Sequence, residues 1–478
     1  MAMRNMTLEN IVKACNGTYH GDPNLLEKEV EGITLDSRQI EKDWLFVATK
    51  GERVDGHSFI PQVREKGACC VLCEKIPEGD GAYILVKDSF KALKDMAKFY
   101  RNSLDIKVVG ITGSVGKTST KEMIAGVLSE KYEVLKTAGN FNNEVGLPLT
   151  IFRIRDHHEI AVLEMGISDF GEMERLADIA NPDIAVITNI GTCHLENLKD
   201  RKGVYKAKSK VFDYLKENGV AVMNADDDIL CEVEQVNGKT PYFFKKVECA
   251  DYMPEEHMQA SHLVYADCIV SGGLAGSKCR IHFSKEGNHT HVMQSFEAQI
   301  NVPGEHQVSN AACATMVGLL LNLEADEIKA GIAKVVPING RTNIIQGKNY
   351  TIVDDCYNAN PMSMKASAEL LATANTRKVA VLGDMFELGK DSDALHYQTG
   401  AHVAKQEIDV ICAIGENAKH LYQGALDQNN SKIQILCFED KKTFLEKTGE
   451  ILKKGDTILL KASHGMGFAE LVDTLKEA

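Results

Sequence analysis

Residues 107–123 read KVVGITGSVGKTSTKEM. An apolar run breaks at glycines, passes through Gly116, Lys117 and Thr118, and then turns helix-forming. Glycines let the backbone turn tightly and aim its N–H groups at phosphate oxygens. The helix N-terminus adds positive potential, and lysine and threonine suit phosphate and magnesium respectively. The expected nucleotide cradle is Gly113, Ser114, Gly116, Lys117, Thr118 and Ser119. A strict Walker pattern wants glycine five residues before Gly116, where this chain has Ile111; the strict motif therefore fails by one residue, although the strand, loop and helix context is present.

The segments that follow keep the same rhythm. EIAVLEMGIS (159–168) and DIAVITNIGTCH (183–194) are compact apolar runs ending in polar or glycine-rich residues, separated by helix-length stretches. That alternation predicts a parallel α/β unit. KCRIHF (278–283) and HVMQSFEAQINV (291–302) predict an antiparallel addition before a small-residue helix, SNAACATMVGLLLNL (309–323). Downstream, TIVDDCYN, KVAVLGDM, DVICAIGE, IQILCF and TILLKAS repeat the α/β rhythm as a second nucleotide-fold-like domain. Upstream, Thr7 is the expected N-cap of a helix with Leu8, Ile11, Val12 and Cys15 on one face. ACCVLC and AYILV read as strands of a small mixed domain closed by KALKDMAKFYRNS. The predicted architecture is three-domain α/β: a small domain over 1–105, a central P-loop domain over 106–336 and a Rossmann-like domain over 337–478.

Composition narrows the classes of function. The 478 residues carry 54 Lys plus Arg against 68 Asp plus Glu, a net charge of −14. This gives no basic footprint for nucleic acid or an anionic membrane. The 13 cysteines are scattered without metal-ligand spacing, so reduced, mostly buried thiols are expected. The first residues lack signal-peptide layout and no apolar run is long enough to span a bilayer. A cytoplasmic protein is the expectation.

In an open parallel sheet, ligands lie beyond the carboxyl ends of the strands. Glu164 and His194 follow two such strands and could both face the phosphate loop. Glu164 could equally cap a turn, and His194 could be a satisfied histidine of core or surface. The segment TAGNFNNEVGLPLT (137–150) concentrates Asn140, Asn142 and Asn143, either as a polar turn or as a loop that binds a polar substrate.

Taken together, the chain resembles the Mur ligase family across its whole length. DDCYNANPMSM (354–364) and LGDMFELG (382–389) look like the segments that mark the family's D-alanyl-D-alanine-adding members, and NNEVGLPLT, NIGTCHLEN, GEHQVSNAACA and LDSRQ agree. The family uses a shorter TGxxGKT loop, which accommodates Ile111. The resemblance implies ATP-dependent ligation of D-alanyl-D-alanine to a UDP-N-acetylmuramoyl-tripeptide through an acyl phosphate, by a monomer using two Mg2+ ions. It implies Lys117 on the transferring phosphate, Thr118 and Glu164 on one magnesium, and His194 with a carbamylated Lys208 on a second. It also implies Asn310, Arg341 and Asp355 on the nucleotide, with Lys117, His194, Lys208 and Arg341 acting in catalysis. Asp36, Ser37 and Arg38 would face the uridine nucleotide, and Asn140, Asn142, Asn143, Asn358 and Asn360 would contact substrate. The family's Lys-Gly-Ser-Arg stretch reads Lys461-Ala462-Ser463-His464 here, and the acid common two residues after the modified lysine is Lys210.

Rival readings are a diamino-acid-adding sister enzyme, a folylpolyglutamate synthetase, a nucleotide-binding paralogue without ligase activity, and a P-loop GTPase. The chain has no Asp-Asn-Pro-Arg segment, expected of the first, and no Asn-Lys-x-Asp segment, expected of the last.

Overall fold

The computed structural model describes residues 2–52, 54–247, 260–286 and 291–478. Three sheets follow one another along the chain. The first has five strands in the order Thr18–His20, Tyr83–Leu85, Cys70–Cys73, Leu45–Val47 and Ile33–Thr34, parallel except for its first member. Thr7 caps the helix Leu8–Cys15 by accepting from the Asn10 N–H at 3.2 Å.

Nine strands form the central sheet. Lys107–Thr112 lies between Ile160–Glu164 and Ile184–Ile187, all parallel. Every residue of the two flanking strands is buried, because helices cover both faces, and this explains their continuous apolar runs. Val220–Asn224 and Tyr242–Lys246 extend the sheet in parallel. The long antiparallel ribbon Leu263–Ser271, Ser277–Glu286 and His291–Ile300 completes that side, and Val134–Lys136, parallel to Ile160–Glu164, forms the opposite edge. The last two of these strands were legible from alternation. Val220–Asn224, Tyr242–Lys246 and Leu263–Ser271 were not singled out in the sequence; the polar ends of YFFKK and LVYADCIVS hide their apolar centres. The third sheet has six strands, with the five apolar runs parallel and the unforeseen edge strand Asn343–Gln346 antiparallel to Thr351–Asp354.

The first two sheets share a core. One apolar cluster runs from Met3, Leu8 and Ile11 through Leu93 and Met96 to Ile151, Leu163 and Ile187. The helix Ser89–Ser103 fixes the junction: Tyr100 donates to the Ile154 carbonyl at 2.7 Å, and Arg101 donates to the carbonyls of Ala180 and Asn181 at 3.1 and 3.3 Å. Arg101 is 1% exposed and lies 3.9 Å from Asp183. Arg101→Met keeps most of the volume but leaves those carbonyls without their donor, so we expect a loss of about 2–4 kcal/mol, read from the denaturant midpoint. A shift below about 0.5 kcal/mol, the level of ordinary surface changes, would contradict this role. The third sheet builds its own two apolar clusters, against one of which Leu274 of the central region packs.

All cysteines among the described residues are free thiols, and most are buried. Among the described residues no helix is long and apolar enough to cross a membrane.

Candidate active site

The P-loop depends on two glycines. Gly113 has φ +150°, and a Cβ there would stand 1.9 Å from Thr188 Oγ1; Gly116, at φ +81°, starts the helix Lys117–Leu128 in a conformation that L side chains resist. The neighbouring strand end pins the crest of the loop. Asn189 accepts from the Val115 N–H and donates back to the Val115 carbonyl, both at 2.9 Å.

Above this loop lies a cavity of about 630 Å³ lined by residues of the central and third regions, among them Ser114, Lys117, Thr118, Ser119, Glu164, His194, Asn310, Arg341 and Asp355. Lys117 Nζ folds back onto the Gly113 carbonyl at 2.8 Å and the Ser114 carbonyl at 3.4 Å. Burial holds its amine below the usual lysine range, with Arg341 adding to the effect and Cys193 and Glu164 opposing it. Such a cation gains from an incoming phosphate.

Glu164 is 1% exposed. Its Oε1 accepts from Thr118 Oγ1 at 3.2 Å and Asn142 Nδ2 at 2.8 Å, while Lys121 Nζ stands 3.9 Å from Oε2. Oε2 is buried without a hydrogen bond among the described residues, which leaves a lone-pair site open to a bound ion or water. A carboxylate and a hydroxyl side by side form a hard oxygen donor set that fits magnesium.

Lys208, at the end of the helix Arg201–Lys208, is fully buried, and its Nζ has no hydrogen-bond partner among the described residues. Burial brings its pKa down to about 8; Cys193 and Glu172 oppose the fall and Lys117 adds to it. Lys210 points elsewhere, paired with Asp213 at 2.7 Å. His194 stands in the left-handed region at φ 54° as the N-cap of Leu195–Leu198, and its Nδ1 lies 2.5 Å from Glu387 Oε2 in the third region. The histidine holds the Glu387 carboxyl below its usual range.

The third region contributes a connected group. Arg341 stacks over the Tyr357 ring at 3.9 Å and reaches Thr118 Oγ1 at 3.4 Å. Asp355 accepts from the Thr342 N–H at 3.0 Å and from Ser367 Oγ and Lys461 Nζ at 2.5 Å each. Lys461 also donates to the Asn358 carbonyl at 3.1 Å, and Ser463 Oγ accepts from the Phe386 N–H at 2.8 Å. Asn310 is turned inward, accepting from Thr120 at 2.8 Å and donating to Gln307 at 2.8 Å.

Asn142, Asn143, Asn358 and Asn360 all line the cavity. Asn143 accepts from the Gly146 N–H at the start of the helix Gly146–Ile151, and Asn360 caps Pro361–Ala372 through the Ser363 N–H, so each has a structural duty as well. Asn140 is exposed and stands outside the lining, and Gly113 and Lys208 lie beneath the surface. Asp36, Ser37 and Arg38 follow the strand Ile33–Thr34 in the first region and do not line this cavity; Arg38 pairs with Asp36 at 2.8 Å. The sequence reading passed over Asn189, Asp226, Asp227, His306 and Tyr357, all of which line the cavity. The NADDD run at 224–228 follows the strand Val220–Asn224, so the strand-end rule that picked Glu164 applies there too.

A P-loop on a parallel sheet, with an arginine and a buried carboxylate brought in from a following domain, defines a nucleotide-dependent enzyme of the phosphoryl-transferring class. Family models match along the chain: Mur ligase family, catalytic domain, at 29–101; Mur ligase middle domain at 111–318; and Mur ligase, glutamate ligase domain, at 340–464. The chain belongs to the Mur ligase family. It is 36% identical to the UDP-N-acetylmuramoyl-tripeptide–D-alanyl-D-alanine ligase of Bacillus subtilis, over 99% of this chain and 98% of that one. Among solved structures, it resembles MurF from Acinetobacter baumannii with a TM-score of 0.86 and 30% identity over the full length of both chains. MurF ligase from Thermotoga maritima in complex with ADP gives a TM-score of 0.77 at 29% identity, covering 93% of this chain and 97% of that one.

Proposed function

We propose that this chain is an ATP-dependent ligase that joins D-alanyl-D-alanine to UDP-N-acetylmuramoyl-tripeptide, forming the pentapeptide precursor of peptidoglycan as a cytoplasmic monomer. The observation that carries this reading is a single cavity joining the P-loop and Glu164 to Arg341 and Asp355, in a chain similar from end to end to enzymes named for that reaction. The same reading divides the chain into a UDP-substrate domain at 1–105, an ATP domain at 106–336 and a third domain at 337–478, each range holding one sheet.

In the reaction, a carboxylate oxygen of the tripeptide takes the terminal phosphoryl group of ATP, and ADP leaves. The dipeptide amine then attacks the acyl phosphate carbon; the C–O bond to phosphate breaks, and the amine loses a proton as the amide forms. Phosphoryl transfer asks for position and charge more than covalent help. The Gly113–Thr118 backbone and Lys117 would cradle the phosphates, Arg341 would neutralise charge gathering beside Thr118, and Asp355 and Asn310 would hold the nucleoside. Asp36, Ser37 and Arg38 would take the uridine nucleotide, while Asn140, Asn142, Asn143, Asn358 and Asn360 would contact the peptide substrates.

Thr118 and Glu164 would hold one magnesium, and His194 with Lys208 a second. When bound, such ions supply charge neutralisation on the phosphate oxygens. Lys208 fits modification: an unpartnered buried amine with a pKa near 8 is neutral often enough to add carbon dioxide. The carbamate forms as Nζ loses a proton, giving an anionic oxygen ligand in place of a stranded amine.

The test is phosphate release by the full chain with ATP, magnesium and UDP-N-acetylmuramoyl-tripeptide, with and without D-alanyl-D-alanine. Release that needs both peptide substrates is expected. Activity confined to the dipeptide precursor with lysine or diaminopimelate would move the assignment to a diamino-acid-adding ligase, and silence in all combinations would favour a non-catalytic paralogue.

A further inference from the structure

The cavity extends past the phosphate cradle. In the central sheet, Lys107–Thr112 has Ile160–Glu164 on one flank, and Ile184–Ile187 followed by Val220–Asn224 on the other. Glu164, at the transferring end, terminates the neighbouring strand on the first flank. Asp226, just beyond Val220–Asn224, lies across the P-loop strand from it and lines the same cavity. A nucleotide with its terminal phosphate at Thr118 and Glu164 therefore has its base toward Asp226.

The helix His306–Leu320 connects these two ends. Asn310 Oδ1 lies 3.9 Å from where a Cβ on Gly116 would stand, and the adjacent Ser309 donates to Asp226 Oδ2 at 3.4 Å. The same oxygen accepts from the Lys246 N–H at 3.1 Å. Oδ1 has no hydrogen bond among the described residues. The neighbouring acids are engaged elsewhere: Asp227 accepts from the Ile190 N–H at 2.7 Å and from Ile229 and Leu230, and Asp228 is paired with Arg201. Phe244 and His306 line the cavity beside Asp226. Although Asp226 is solvent-exposed, desolvation by the surrounding cavity wall raises its carboxyl above the usual range, with the Lys246 N–H and the charges of Lys245 and Lys246 opposing. The side chain is open to the cavity, so a bound base would displace water from Oδ1 and supply a donor in its place.

We propose that Asp226 is a specificity-determining residue that reads the base, its free oxygen accepting the exocyclic amino group of adenine. A purine with oxygen at that position would turn lone pairs toward a carboxylate that has no proton to donate, and this acceptor–acceptor mismatch is costly once the base has displaced water from the site. This proposal rests on the reading that the chain uses ATP.

The experiment measures binding of ADP, IDP and 2′-deoxy-ADP to the full chain by calorimetry, for the wild type, Asp226→Ala and Asp226→Asn. IDP differs from ADP by carrying oxygen in place of the amino group. The wild type is expected to prefer ADP over IDP by about tenfold or more, the value of one hydrogen bond to a charged group. Asp226→Ala should bring that ratio near one and leave the ADP to 2′-deoxy-ADP ratio unchanged. Asp226→Asn keeps an acceptor for the Lys246 N–H and can turn its amide toward a purine oxygen, so it should gain IDP affinity. An ADP to IDP ratio unmoved in both variants, no preference in the wild type, or a loss that instead follows the 2′-hydroxyl would overturn the proposal. A wild type that binds no adenine nucleotide would instead sink the ATP-dependent reading of the whole site.

Discussion

Lys117→Ala is expected to lower ligation by at least about three orders of magnitude, since it removes a preorganised charge from the transferring phosphate. In the structure Nζ rests on the Gly113 and Ser114 carbonyls and is held below its usual pKa by burial. Its charge is therefore poorly compensated until a phosphate arrives. The variant should fold, because the loop's shape comes from Gly113, Gly116 and the Asn189 clamp on Val115. The measurement is amide formation in single turnover, with far-UV circular dichroism as the control for folding. Wild-type turnover in a folded variant would remove Lys117 from the mechanism.

Lys208→Ala is expected to lose at least about a hundredfold in turnover, the scale of a ligand or its supporting group. Part of the loss should return with added acetate or propionate, which can place a carboxylate in the vacated space. Full activity without any carboxylate would remove Lys208 from the site. Its linkage to stability gives an independent readout. Burial lowers the folded-state pKa to about 8, from roughly 10.4 for a free lysine. Above the unfolded value both states are neutral and there is no cost. As pH falls through that window the unfolded chain takes up the proton first, and below about 8 the penalty is complete, on the order of 3 kcal/mol. In buffer free of carbon dioxide, Lys208→Met should therefore be more stable than the wild type at pH 7, with the difference fading toward pH 10. A variant less stable at pH 7 would show that the amine has a partner the fold depends on.

How legible the site was depended on how local each feature is. Lys117 and Thr118 are fixed by a loop of a few residues, and Glu164 by its place at the end of a strand. Lys208 is the opposite case: RKGVYKAKSK carries five basic residues in ten and reads as a solvated helix, yet packing turns one of them fully inward. Asp226 was overlooked because YFFKK and VAVMN did not stand out as strands, so the NADDD run had no strand end to belong to.

The sequence fixes what short-range chemistry fixes: where apolar runs form buried strands, where glycines permit a phosphate loop, where Thr7 starts a helix, and that three α/β units follow in order. Those outcomes need only neighbours along the chain. Contacts between residues more than a hundred positions apart came from folding alone. Thr118 meets Arg341 across 223 positions and Thr120 meets Asn310 across 190. The joint core of the first two sheets, the orphaned amine of Lys208 and the free oxygen of Asp226 are of the same kind. Periodicity carries no record of such pairings, because burial and partnership depend on which surfaces the tertiary fold brings together.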